Sequence, residues 1–262
     1  MSTLLLRLAA PMQSWGISSK FDRRTTNMEP TRSGVIGMLA AAMGVSREDS
    51  LDAFKVLKFG VRIDQPGTMK QDFHMVHREN GSKSTAWVTY RYYLEDAVFL
   101  AGLEGPSEFL AKLESALMHP VYPLALGRRS CPPAEPLVLG IRDVDLLTAL
   151  RQEEWQASSW YQRKAKWQHI TSLEIVRDAG LDENGYAVRD FPESFSQKRR
   201  LYHFRNVIRE QIALSQLVDS ESTEKKQEVP TEHDPMELLE DSDVSIKNQK
   251  ANCQAKCNTF EK

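Results

Sequence analysis

The stretch that decides the fold is "EPTRSGVIGMLAAAMGV", Glu29 to Val45. No charged side chain lies between Arg32 and Arg47, and a helix that is apolar on every side belongs in an interior. Gly34, Gly37 and Ala41 fall at i, i+3 and i+7, a narrow face of small side chains that lets backbone press against a sheet. Gly44 reads as the C-terminal cap. The entrance is unlike the body: Thr31-Arg32-Ser33-Gly34 offers a cation, two hydroxyls and a glycine. A helix N-terminus with free N–H groups and an adjacent arginine can seat a phosphate. The plainer alternative is a Thr31 or Ser33 cap with Arg32 in solvent.

Working outward, "LLLRLAA" (Leu4–Ala10) predicts a strand before this helix, and "KFGVRID", alternating Phe59, Val61 and Ile63, a half-buried strand after it. Between them "SREDSLDAFKVL" predicts a short helix to Leu57, with Ser46 as N-cap and Asp49 three residues on. "QDFHMVH" and "TAWVTYRYYL" flank the turn-like "RENGSKS", so Gln71–Leu94, within an insert over about 68–95, predicts a long hairpin. "AVFLAGL" and "EPLVLGI" read as strands around the helix "GPSEFLAKLESALMHP". The order is α+β, a ferredoxin-like (RRM-like) βαββαβ domain over 1–142 with an inserted β-hairpin. From 143 to 216 the signals predict a smaller β-rich region. There "SLEIVRD" and "YAVRDF" flank Asn184-Gly185, a hairpin turn signal, and "RRLYHFRNVI" reads as a further strand.

The 262-residue chain has 41% hydrophobic and 27% charged residues, an ordinary soluble composition. Its longest uncharged run is too short to span a bilayer. No signal-peptide layout opens it, and its three cysteines make no disulfide framework, so a cytoplasmic, reduced protein is expected. From Leu217 to Lys262 there are 11 acidic and 6 basic residues, a net of −5, which leaves +3 on the remainder of a chain of net charge −2. That acidic tail, 217–262, predicts disorder. Cys253 and Cys257 alone are a weak metal signal, and neither a cofactor nor a metal site is expected.

Three further stretches carry chemistry. "APMQSWG" ends the first strand with Gln13, Ser14, Trp15 and Gly16, an amide, a ring and a glycine of the kind a single-stranded nucleotide uses. The alternative is a loop whose Trp15 caps the core. "ALGRRSCPP" pins Arg128, Arg129 and Ser130 between Gly127 and two prolines, where guanidiniums can grip phosphate bidentately. A solvated charge pair is the ordinary reading of adjacent arginines. On the hairpin, Tyr90, Arg91, Tyr92 and Tyr93 stand in a row, with Arg91 and Tyr93 on one face and Tyr90 and Tyr92 on the other. Such a face can stack on bases or pack on a partner protein.

Together "LLLRLAAPMQSWG", "PTRSGVIGMLAAAMGV", the "DFH" and "YRYYLEDAVF" of the hairpin, and "LGRRSCP" resemble the CasD family of type I-E CRISPR Cascade subunits, in matching order over about 1–216. That family belongs to a repeat-associated RNA-binding superfamily built on ferredoxin-like domains. The resemblance implies a non-catalytic subunit of a ribonucleoprotein for antiviral defence. It would hold the 5′ handle of the CRISPR RNA, cap the backbone filament, contact the large subunit, and meet target DNA only through the complex. It implies RNA contacts at Gln13, Ser14, Trp15, Gly16, Arg32, Ser33 and Gly34, a hairpin thumb with His74, Tyr90 and Arg91, and a basic turn at Arg128, Arg129 and Ser130. The tail has no counterpart in the pattern, and "GMLAAAMG" replaces a more glycine-rich version.

The rival class is a metal-independent endoribonuclease that processes CRISPR repeat RNA. His74 and His77 share the hairpin with Lys70, Lys83 and several tyrosines, and a histidine beside a lysine can run acid–base cleavage at a 2′-OH. The other reading of both histidines is surface or strand packing. A structural spacer between subunits is a third possibility.

Overall fold

The computed structural model describes residues 2–17, 22–80, 83–134, 136–180 and 182–218. The expected disordered tail therefore lies outside the described residues from 219 onward, as do Cys253 and Cys257. Among the described residues eleven strands and five α-helices follow one another: β1 Ser2–Ala9, β2 Met12–Gln13, β3 Arg23–Arg24, α1 Arg32–Ala42, β4 Lys58–Gln65, β5 Thr68–Asn80, β6 Lys83–Glu95, β7 Val98–Gly105, α2 Ser107–Met118, β8 Val138–Arg142, α3 Leu146–Gln152, α4 Ser159–Trp167, β9 Ser172–Asp178, β10 Tyr186–Ser194, β11 Leu201–Ala213 and α5 Ser215–Val218. This is a strand-rich α+β protein.

Seven strands form one antiparallel sheet in the order β10-β11-β9-β4-β7-β1-β8. β1 explains why the chain opens on an uninterrupted leucine run. Side chains alternate along a strand, so Leu4, Leu6 and Leu8 enter one core with Val35, Ile36 and Leu39 of α1 and Leu110 and Leu113 of α2. Leu5 enters a second core with Leu146 and Leu150 of α3, Leu173, Ile175 and Leu217. With helices against both faces, no polar alternation is needed. Pairing of β9 with β4, Val61 opposite Val176, carries the strands after 143 into the same sheet.

α1 is the buried helix the sequence predicts. Thr31 caps it, accepting from the Gly34 N–H at 3.2 Å. At its end the Val45 N–H bonds Ala40 O and the Gly44 N–H bonds Ala41 O, with Gly44 at φ +75°. That pair of bonds is the Schellman termination, and the left-handed position suits glycine. The small-residue face meets rings rather than the sheet expected: a Cβ on Gly34 would meet the Trp15 ring at 2.8 Å, and Gly37 faces Phe195.

Two expectations need correction. The helix over Ser46–Leu57 is a turn followed by a short 3-10 helix, Asp52–Phe54. The Asp49 carboxylate accepts from the Ser46 N–H at 2.8 Å, yet these capping residues lead into no helix, because Leu51, Phe54 and Leu57 are drawn into the core instead. The β9–β10 hairpin does not form either. The 13-residue β11 lies between them, its first half paired with β10 and its second with β9.

β5 and β6 form the long hairpin, in continuous register from Thr68 opposite Glu95 to Asn80 opposite Lys83. Only its base is embraced. β2 pairs with β6 at Gln13 opposite Leu94, and β3 runs parallel to β6 with Arg23 opposite Tyr90 and Arg24 opposite Arg91.

Candidate nucleic-acid interface

The base of the hairpin gathers three of the flagged stretches. Gln13 is fully buried and acts as a spacer. Its amide donates to Leu8 O at 3.1 Å and Ala97 O at 2.7 Å and accepts from Trp15 Nε1 at 3.0 Å. Ser14 donates through its hydroxyl to Tyr92 O of the hairpin at 3.2 Å. Its N–H bonds Leu126 O at 3.1 Å, which ties the loop to the "LGRRSCP" turn. The turn closes on itself through Leu126 N–H to Cys131 O and Cys131 N–H to Arg128 O. Gly127 makes the join possible: at φ +86° its missing Cβ would sit 1.6 Å from Ser14 O.

That join places guanidiniums together. Arg128 stacks over the Tyr93 ring at 4.5 Å and donates to Arg24 O at 2.7 Å. Arg24 is the register partner of Arg91. Arg23, Arg24, Arg129, Ser130 and Gly16 are exposed, and Tyr90 is exposed beside them. Arg91 Nε and Arg128 Nη1 are buried N–H groups with no acceptor among the described residues. Buried charged donors ordinarily have partners. A cluster of arginines with spare N–H groups, next to exposed Tyr90, is suited to a phosphate chain with bases stacked alongside.

Arg32 is different from what its sequence context suggests. Its side chain is 3% exposed and pairs with Asp178 at 2.5 Å. It also donates to Leu57 O at 2.6 Å and lies over the Phe191 ring. Its own backbone N–H, one of the free groups at the helix entrance, donates to Asp190 Oδ2 at 2.8 Å. Arg205 closes the cluster, bonding Asp190 and Asp178 at 2.6 Å each. Burial pulls the Arg32 pKa down, against the attraction of Asp178. Burial also opposes the charge on Arg205, but its bonds to Asp190 and Asp178 outweigh that and leave it raised. The anion seat at the entrance of α1 is thus filled by the chain's own carboxylate. The expectation of an RNA-facing Arg32 side chain is corrected accordingly.

Trp15 is wholly buried, packed against Gly34 and bridged to Asn27, so its ring caps the core and no base can stack on it. Ser33 and Gly34 are half-buried beside Thr31. His74 stands on the exposed arm opposite Thr89, its Nε2 2.9 Å from Asp72 Oδ2. Lys70 pairs with Glu95, and it stands four positions along the strand, about 13 Å, from His74. The structure therefore brings Ser14, Gly16, Arg91, Arg128, Arg129 and Ser130 together and leaves His74 apart.

Sequence reading missed Arg23 and Arg24. The signal was present, since "FDRRTTN" holds the same adjacent arginines as "LGRRSCP". Nothing in the sequence says, however, that β3 docks on the hairpin. The arm itself exposes Phe73, Met75, Val76, Trp87 and Val88, an apolar surface on both strands. Among the described residues no group of His, Cys, Asp and Glu is arranged to hold a metal, and no helix is long and apolar enough to cross a membrane.

Residues 3–208 match the family model for CRISPR-associated protein Cas5. The CRISPR system Cascade subunit CasD of Escherichia coli strain K12 is 40% identical over 158 residues, covering 53% of this chain and 70% of that protein. A chain of a CRISPR RNA-guided surveillance complex superposes with a TM-score of 0.67 at 34% identity, covering 81% of this chain and 92% of its own. A crystal structure of a Cas protein superposes at 0.64 and 35% identity, covering 82% and 97%. With the match running from β1 into β11, across the hairpin and the arginine turn, the chain belongs to the Cas5 family of CRISPR-associated proteins.

Proposed function

We propose that this chain is a non-catalytic RNA-binding subunit of a type I-E CRISPR surveillance complex, holding the 5′ handle of the CRISPR RNA at one end of the backbone filament. The observation that carries the reading is the convergence of the Ser14 loop, the Gly127–Ser130 turn and the hairpin base, which leaves Arg91 Nε and Arg128 Nη1 without acceptors. Phosphates of the handle fit the exposed Arg23, Arg24 and Arg129, and a side-chain rotation brings the buried donors of Arg91 and Arg128 to them. Phosphate contacts fix the position of the strand, and unstacked bases supply selectivity. Gln13, Trp15 and Arg32 act from behind by holding the loop and the entrance of α1 in place. The relatives' names support the partners: CRISPR RNA and the other Cascade subunits, with target DNA reached through the complex.

The core β1–α1–β4–β7–α2–β8 is read as ferredoxin-like, supported by the sheet order β4-β7-β1-β8 with every neighbour antiparallel. We assign RNA holding to 1–142 and support of α1 to 143–216, whose Asp178, Asp190 and Arg205 surround Arg32. The location is cytoplasmic, where the RNA is. An endoribonuclease at His74 is disfavoured by the separation from Lys70 and by the Asp72 partner.

The test is to isolate the full chain from cells expressing the CRISPR locus and sequence the RNA that accompanies it. Short RNAs sharing one repeat-derived 5′ end, together with other complex subunits, are the expected result. Partner proteins without RNA would leave a structural spacer. Cleavage of added repeat RNA, lost in His74→Ala, would establish the enzyme instead.

A further inference from the structure

α4 carries a surface that the site above does not use. Its inner residues, Tyr161 and Ala165, pack with Ala157, Trp155 and Ile170. Its outer side holds Trp160 at 47% exposure and Trp167 at 80%, with Arg163, Lys164 and Lys166 all exposed. The helix contains no carboxylate. Trp160, Lys164 and Trp167 fall at i, i+4 and i+7 and share one face over about 10 Å. Lys164 Nζ lies 5.9 Å from the Trp160 ring centroid. An indole left four-fifths in water does nothing for the core, and exposed apolar groups among charges of one sign mark a binding surface.

The helix is also firmly placed. Ser158, just before it, donates through N–H and hydroxyl to Gln65 Oε1 at 3.1 and 2.7 Å, and Gln65 Nε2 donates to Asp96 O at the hairpin base at 2.6 Å. A groove of about 730 Å³ runs between Thr26–Glu29 and the Tyr161, Ile170 and Leu173 side chains. Glu29, Glu174 and Arg209 also line it, and one wall begins two residues beyond Arg24 in the chain.

We propose that the outer face of α4 is a second nucleic-acid surface, which takes single-stranded nucleic acid by stacking bases on Trp160 and Trp167 while Arg163, Lys164 and Lys166 meet phosphates. Positive charge alone would suit any acidic partner. Two exposed indoles flanking a lysine on one helix face favour a polyanion whose bases offer a ring at every unit. A duplex hides those rings and is the poorer ligand.

The test uses the intact complex containing the full chain and follows the anisotropy of a fluorescein-labelled oligothymidylate. Trp160→Ala with Trp167→Ala weakens binding about tenfold or more. Lys164→Ala with Lys166→Ala lowers the slope of log affinity against log salt by about 1.4. Oligouridylate follows oligothymidylate, and the bound CRISPR RNA is unchanged in both variants. Trp167→Ala alone, at the most exposed position, guards against a folding defect. Unchanged oligonucleotide affinity in both double variants overturns the proposal. So does equal binding of a duplex with no effect of the tryptophans. Loss of a neighbouring protein with oligonucleotide affinity intact overturns it in favour of a protein contact. The inference uses the complex but not the handle site: a chain that copurifies with no RNA refutes the function above, and the same assay then runs on the full chain alone.

Discussion

Replacing Arg32 with alanine lowers the stability of the protein by about 3–5 kcal/mol, the cost of leaving a buried charge without its partner. Arg32 and Arg205 face Asp178 and Asp190, and all four are largely buried, with side-chain exposures of 3%, 9%, 18% and 1%. Removing one cation leaves two carboxylates sharing one guanidinium, and Asp178 must also serve the Phe59 N–H. The stacking on Phe191 and the bond to Leu57 O go as well. Urea unfolding measures the loss. Arg32→Ala combined with Asp178→Asn rebalances the charge and is less destabilised than the sum of the two single variants. A loss below about 1 kcal/mol would place Arg32 among surface charges, contrary to the geometry. Any RNA defect in Arg32→Ala then follows the fold, since α1 loses its ion pair to β9 and its stack on Phe191 of β10.

Gly127→Ala is the second large effect. The added methyl would lie 1.6 Å from Ser14 O on a backbone at φ +86°. The left-handed conformation and the overlap each cost about 1–3 kcal/mol, and the Ser14 carbonyl cannot retreat without losing the Ser14–Leu126 bond. A loss of about 3 kcal/mol is expected by urea unfolding, with poorer RNA retention because Arg128 and Ser14 move apart. Gly37→Ala is the control. Its methyl would sit 3.7 Å from the Phe195 ring, an ordinary contact, and alanine favours a helix interior, so stability holds or rises. Equal behaviour of the two variants would refute the close join between loop and turn.

What the sequence makes legible is local. The apolar body of α1, the Gly44 cap and the pairing of β5 with β6 follow from neighbours in the chain, and all are present; β4, expected to be half-buried, is instead covered on both faces, with Arg62 and Asp64 fully buried. The resemblance implies RNA contacts in "PMQSWG" and in "LGRRSCP" separately; that the two stretches meet, with Gly127 seated on Ser14, is visible only in the structure. What escapes is long-range. Arg32 finds its acidic partners about 150 residues away, at Asp178 and Asp190, so its motif looks like an open phosphate seat. Asn184-Gly185 makes a good hairpin signal, but β11 offers β9 and β10 a longer partner than they offer each other. Trp15 reads equally as a stacking platform or a core cap until Gly34 is seen beneath its ring.

The most direct measurement of the central claim is the RNA held by a complex carrying Arg91→Gln with Arg128→Gln, substitutions that keep most of each stem. A charge-assisted bond contributes about 1.5–3 kcal/mol, so each arginine accounts for about tenfold in affinity or more. The account predicts loss of most CRISPR RNA from the purified complex, a salt slope shallower by about 1.4, and a melting temperature lowered by only a few degrees, since Arg128 gives up its bond to Arg24 O and its stack on Tyr93. Full RNA occupancy with an unaltered salt slope would contradict it, and the arginine cluster at the hairpin base would not be where the RNA lies.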